Sequence, residues 1–128
     1  MRGMMMAALL AGCCVASPAA AKAPACKLSP KQVVTRFMDE FYMKKQVRSA
    51  FERWVDPSYI QHNPYAATGR DAAINFLEKF VADNKGQKSD IRRIIADGKL
   101  VAVHSHGWNE GGDAAARRGF AVVDIFRV

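Results

Sequence analysis

Residues 91–128, IRRIIADGKLVAVHSHGWNEGGDAAARRGFAVVDIFRV, decide the fold class. Ile91 to Ala96 and Leu100 to Trp108 are apolar-rich runs of strand length, joined at Asp97-Gly98, a pair that favours a tight hairpin turn. Gly119 to Val128 reads as a third strand, and the polar, glycine-containing Asn109 to Arg118 reads as a mobile loop between strands two and three. Alternation places Leu100, Ala102, His104, His106 and Trp108 on one face of the second strand, and Phe120, Val122, Asp124, Phe126 and Val128 on one face of the third. If Trp108 pairs with Phe120, His104 falls opposite Asp124, with Cβ atoms about 4.5 to 5.5 Å apart. That pairing is sensitive: a slip of one residue sends every side chain to the other face.

Working back toward the N-terminus, the period lengthens from two to between three and four. Val33, Val34, Phe37, Met38, Phe41 and Tyr42 mark a helix, with Ser29 as cap, Pro30 at its first position and Gln32 completing a capping box. Val47, Ala50, Phe51 and Trp54 mark a second, which Asp56-Pro57 ends near Val55 because the residue before proline avoids helical angles. Ser58 to Tyr65 is too polar for core. Thr68 and Asp71 are expected to cap a third helix whose buried stripe is Ala73, Ile74, Leu77, Phe80 and Val81. Helices grouped before an antiparallel meander make this an α+β domain.

The chain has 128 residues, enough for one domain. Residues 1–23 read as an export signal, with Arg2 followed by an uncharged apolar run from Met4 to Val15 and small residues to Ala23; the domain then occupies 24–128. Two processing routes stay open. Ala19-Ala20-Ala21 and Ala21-Lys22-Ala23 each fit an A-x-A cleavage site, giving a periplasmic or secreted product, whereas Leu10-Ala11-Gly12-Cys13 resembles a bacterial lipoprotein box that would leave a lipid anchor on Cys13. The apolar run is shorter than the roughly 20 residues that span a bilayer, so no transmembrane segment is expected. Cys13, Cys14 and Cys26 all precede the domain's first helix, which excludes a disulfide framework inside it. The formal charge is +7. Its carriers are scattered pairs, Lys44-Lys45, Arg92-Arg93 and Arg117-Arg118, a pattern of solvated surface rather than of a nucleic-acid groove.

Asp124, amid Val122, Val123, Ile125 and Phe126, invites two readings. Burial raises a carboxyl pKa, so an Asp124 paired with His104 in an apolar concavity could exchange protons with an enolisable substrate. Alternatively it is structural, bonding a backbone group or pairing with Arg127. His62, Asn63 and Tyr59 could orient a carbonyl or hydroxyl oxygen at the pocket mouth. His104-Ser105-His106 would bind metal only with a converging third ligand; His62 is available, but no acidic or cysteine partner lies at a familiar spacing, and no metal is expected. Nucleophile elbow, phosphate loop and dinucleotide fingerprint are absent from the sequence.

Several blocks carry a resemblance: Tyr59-Ile60-Gln61-His62-Asn63-Pro64, Gly69-Arg70, Ile94 to Gly98, Val101 to His104 and Val123-Asp124-Ile125-Phe126-Arg127. In this order they resemble the SnoaL-like polyketide cyclase family of the nuclear transport factor 2-like superfamily. The resemblance implies a cone-shaped α+β barrel, helices packed in a curved antiparallel sheet around a pocket, with no cofactor and with homodimerisation through the sheet. By motif it also implies that Asp124 is the acid/base of an intramolecular aldol closure, with His104 as helper. The expected ligand, read from the residues themselves, is a small apolar carbonyl compound positioned by His62, Tyr59, Asn63, His106, Trp108 and Phe126. The superfamily also holds hydrolases, isomerases and non-catalytic binding modules, so a lyase or isomerase, a binding module and an inactive fragment all remain open. Export fits a cytoplasmic biosynthetic pathway poorly. Family members usually continue into a further strand with a Trp-Asp pair, whereas this chain stops at Val128, so the expected sheet lacks its last strand and has an open edge.

Overall fold

The structure is a computed structural model, and residues 27–128 are described. Residues 1–23, read from the sequence as an export signal, and Cys13, Cys14 and Cys26 lie outside the described residues. Helix α1 (Pro30–Met38) starts as its sequence dictates: the Gln32 backbone N–H donates to Ser29 Oγ (3.3 Å) and the Ser29 N–H donates to Gln32 Oε1 (2.9 Å). Its apolar stripe then passes into a π-helical turn, Asp39–Met43, where the Lys44 N–H reaches back to the Asp39 carbonyl (3.0 Å). Lys45 follows in the left-handed region, φ 56°. Helix α2 (Val47–Trp54) ends where expected, with Val55 already extended ahead of Asp56-Pro57.

The start of α3 (Arg70–Asp83) differs from expectation. Neither Thr68 nor Asp71 caps it; Gly69 does, at φ 108°, a value that needs glycine, and its N–H donates to the Tyr59 carbonyl (3.1 Å). That bond ties the polar 58–65 loop to the helix. The α3 stripe is also narrower than read: Ala73 and Ile74 are fully buried, but Phe80 stays 42% exposed.

Strands β1 (Gln87–Asp97), β2 (Leu100–Asn109) and β3 (Phe120–Arg127) form one antiparallel sheet in the order β1-β2-β3. Asp97 pairs with Leu100 across a two-residue turn. Gly98 there has φ 54° and Lys99 does not turn positive, the II′ pattern suited to the strands' twist. In β1 a bulge at Arg92, opposite Ser105 and His104, bends the strand and puts Ile91 and Ile94, three residues apart, on the same inner face. The segment between β2 and β3 is not an unstructured loop. Asp113 Oδ1 accepts the Ala116 N–H (2.9 Å) and caps α4 (Ala114–Arg118), as an aspartate before three alanines favours.

Pairing of β2 with β3 departs from the expected register by one residue. Phe120 lies opposite Gly107 rather than Trp108, so Asp124 faces Val103 and His104 faces Val123. Gly119 sets this offset: it enters β3 at φ 77°, ψ −169°, and a Cβ there would collide with the Gly107 carbonyl oxygen. The helices cover the face made by Val101, Val103, Ser105 and Gly107, and Val34, Phe37, Met38, Val47, Ala50, Phe51, Ala73 and Ile74 complete the core. Phe37 is its hub, with Phe51 edge-on at 5.2 Å and Phe126 at 5.7 Å between ring centroids. The opposite face carries Ala102, His104, Val123 and Ile125, the last two 62% and 70% exposed, and the end of α4 meets it at His106.

Candidate functional site

Asp124 sits on the inner face of β3, between Val122 and Phe126, and looks toward the π turn. Tyr42, the fourth residue of that turn, donates its hydroxyl to Asp124 Oδ2 at 3.2 Å. At 3.2 Å this is at the long end for an O–H···O bond. Tyr59 packs edge-on to Phe51 at 6.3 Å and feels the carboxylate charge of Asp124.

Electrostatics follow from this placement. Burial pushes the Asp124 carboxyl above its ordinary value, and the Tyr42 hydrogen bond pulls it part of the way back. Tyr42 is pushed far up, first by burial and then by the charge and hydrogen bond of Asp124, so it remains a donor at any physiological pH. Tyr59 is raised too, by burial first and by Asp124 second, while its hydrogen bond with Gln61 acts the other way. A carboxyl that burial pushes up and a phenol hydrogen bond holds in place is suited to take and return a proton.

Beside this group lies an apolar cavity of about 160 Å³. Phe41, Tyr42, Leu77, Phe80, Phe120 and Val122 form its apolar walls. Tyr42 is the link, because its ring lines the cavity while its hydroxyl holds Asp124. Ser105 lies one step along the same face, paired with Val122; it is 1% exposed, and its Oγ has no hydrogen-bond partner among the described residues. A larger depression of about 720 Å³ opens between α2 and α3, but its walls are charged and the Arg48–Glu78 ion pair (2.7 Å) spans it.

The residues singled out in the sequence divide between the two faces. Tyr59 and Phe126 are inside with Asp124, although Phe126 is committed to packing on Phe37. His104 is on the outer face, so the expected His104–Asp124 pair does not form; the slipped register separates them by the thickness of the sheet. His106 and Trp108 are outside as well, stacked at 5.3 Å. His106 Nε2 lies 2.9 Å from the Arg118 carbonyl oxygen, which can only accept, so that nitrogen carries the proton. His62 and Asn63 are exposed; Asn63 Oδ1 closes a local turn by accepting the Tyr65 N–H (3.0 Å). No group of three metal-ligating side chains converges among the described residues. The sequence reading missed Tyr42 and Ser105. The signal for Tyr42 was its hydroxyl, a tyrosine closing an otherwise apolar stripe and therefore in need of a buried partner.

A family model described as the SnoaL-like domain matches residues 34–128. The chain belongs to the SnoaL-like domain family. No curated protein matches the chain. Solved structures share the fold of this SnoaL-like domain at low identity. An uncharacterised cystatin-fold protein of Novosphingobium aromaticivorans is 11% identical with a TM-score of 0.67, covering 80% of this chain and 90% of its own. An NTF2-like protein of Cytophaga hutchinsonii, of unknown function, is 14% identical with a TM-score of 0.60, covering 80% of each chain. A protein of Acidithiobacillus ferrooxidans assigned to the polyketide cyclases is 17% identical with a TM-score of 0.57, covering 78% of this chain and 80% of its own. The SnoaL-like domain here is thus an α+β cone of NTF2-like type, with helices seated in a three-stranded open sheet.

Proposed function

We propose that this SnoaL-like domain is a small-molecule enzyme, a lyase, isomerase or aldol-type cyclase, that moves a proton through Asp124. The observation that carries the reading is a buried carboxyl, its pKa raised by burial, that is hydrogen-bonded to Tyr42, a residue that also lines an apolar cavity. In its ionised form Asp124 takes the proton from a carbon next to the substrate carbonyl, leaving an enolate. The resulting carboxylic acid returns that proton to a different carbon in an isomerisation, or to the new alkoxide oxygen in an aldol closure. Tyr42 fixes the carboxylate's orientation through its hydroxyl. An engineered apolar cavity of about 150 Å³ accepts benzene, so a volume of about 160 Å³ suits a compact, single-ring carbonyl compound rather than a fused polycyclic one.

One observation favours a second reading, a non-catalytic small-ligand-binding module: Tyr42, not Asp124, lines the cavity wall. Asp124→Asn separates the two. On the enzymatic reading it abolishes turnover, by at least about a hundredfold, with ligand affinity kept; unchanged turnover, or parallel loss of binding and folding, rejects catalysis by Asp124.

We also propose that the protein is exported, with residues 1–23 as the signal and Cys13 as the alternative lipidation point. Mass spectrometry of the mature N-terminus decides between them: an acylated Cys13 supports the anchor, a free N-terminus near Lys22 or Pro24 supports a released product, and an intact Met1 contradicts export.

A further inference from the structure

The geometry points to a compact apolar monoanion, a single-ring carboxylate, as the ligand of the inner cavity, with Lys45 at the mouth as its anchor. This rests on the cavity being the ligand site. Four polar residues interrupt the apolar lining: Lys45, Asn84, Gln87 and Ser89. Two of them are committed to backbone, since Asn84 Nδ2 donates to the Phe80 carbonyl (2.8 Å) and Gln87 Nε2 to the Lys88 carbonyl (3.2 Å). Lys45 Nζ donates to the Gln87 carbonyl (2.8 Å), which uses one of its three donors and holds the ammonium at the rim.

Charge balance gives the sign of the ligand. No aspartate or glutamate is among the lining residues, and Lys45 forms no ion pair among the described residues, whereas its neighbour Lys44 is bridged to Asp39 at 2.6 Å. An unneutralised cation at the rim of an apolar pocket favours an anion whose apolar body fills the pocket. The backbone adds a second, independent observation. Lys45 holds φ 56°, a conformation that costs a lysine energy and that clusters at ligand sites, and it does so immediately after the π-helical turn that carries Tyr42. One irregular segment therefore delivers both the phenol that holds Asp124 and the ammonium at the mouth. The chain's formal charge of +7 would draw an anion toward the protein.

Benzoate and its neutral isostere benzamide test the assignment by NMR titration of the full chain, read at the amides of Tyr42, Gly107 and Val122. Lys45→Asn removes the charge while tolerating the left-handed backbone, and Lys45→Arg restores the charge. Benzoate is expected to bind about fivefold more tightly than benzamide, a preference lost in Lys45→Asn and in high salt and kept in Lys45→Arg. Equal binding of the two compounds to the wild type, or a preference that survives Lys45→Asn, overturns the anion anchor and leaves the cavity reading intact. If neither compound shifts those amides, the cavity reading fails and the anchor with it.

Discussion

Asp124 combines two opposing influences, and their balance has a measurable sign. Because burial raises its pKa in the folded chain above the unfolded value, the folded state holds the proton more tightly, and stability falls as pH rises from the ordinary carboxyl value through the raised one. Asp124→Asn is therefore expected to raise the thermal midpoint at neutral pH, with the gain vanishing in acid. A melting series that shows destabilisation at every pH contradicts the assignment of burial as the dominant cause. Tyr42→Phe is expected to cost about 1 kcal/mol above the carboxyl's pKa, and less below it, because the ionised acceptor loses its donor. Chemical denaturation at two pH values reads this directly. At this scale the sequence was half legible. Strand alternation singled out Asp124, but its partner sits 82 residues earlier in the chain, and the hydroxyl of Tyr42 names no acceptor until the fold brings it there.

Helices announce themselves locally and strand registers do not. The cap of α1 and the end of α2 were readable because each depends on residues within one turn: Ser29, Pro30 and Gln32 for the first, Asp56-Pro57 for the second. The β2–β3 register was not, because it depends on where a connection of several residues, including α4, returns the chain, and on a glycine whose role shows only against the carbonyl it approaches. Gly119→Ala is expected to destabilise the domain by about 2 to 3 kcal/mol, since φ 77° with ψ −169° suits glycine and the added methyl meets the Gly107 carbonyl. A loss under about 0.5 kcal/mol in a denaturant titration would show that Gly119 does not set the register. The bulge left a trace that could have been read: Ile91 and Ile94 cannot both face inward in a regular strand, since their spacing is odd.

Among the described residues, the sheet has one face covered by α1 to α3 and one that stays largely exposed. Ile95, Val123 and Ile125 project from the outer sheet face at 61%, 62% and 70% exposure, with His104 among them, and β3 lies at a sheet edge. This apolar surface suits self-association through the sheet. We expect a dimer by light scattering and, for Ile125→Lys, dimer affinity weakened by more than about tenfold without loss of the inner site, because residue 125 points away from Asp124. A wild-type monomer at all accessible concentrations contradicts a sheet-mediated dimer. Curvature, aromatic core and π turn meet at the Asp124 carboxyl, whose titration needs no substrate to observe. Carboxyl ¹³C NMR of the wild type and of Tyr42→Phe should give a midpoint above the ordinary aspartate value in the first and a still higher one in the second. A wild-type midpoint at or below the ordinary value, unmoved by Tyr42→Phe, would mean a solvated or differently paired carboxylate and would contradict proton transfer by a buried Asp124.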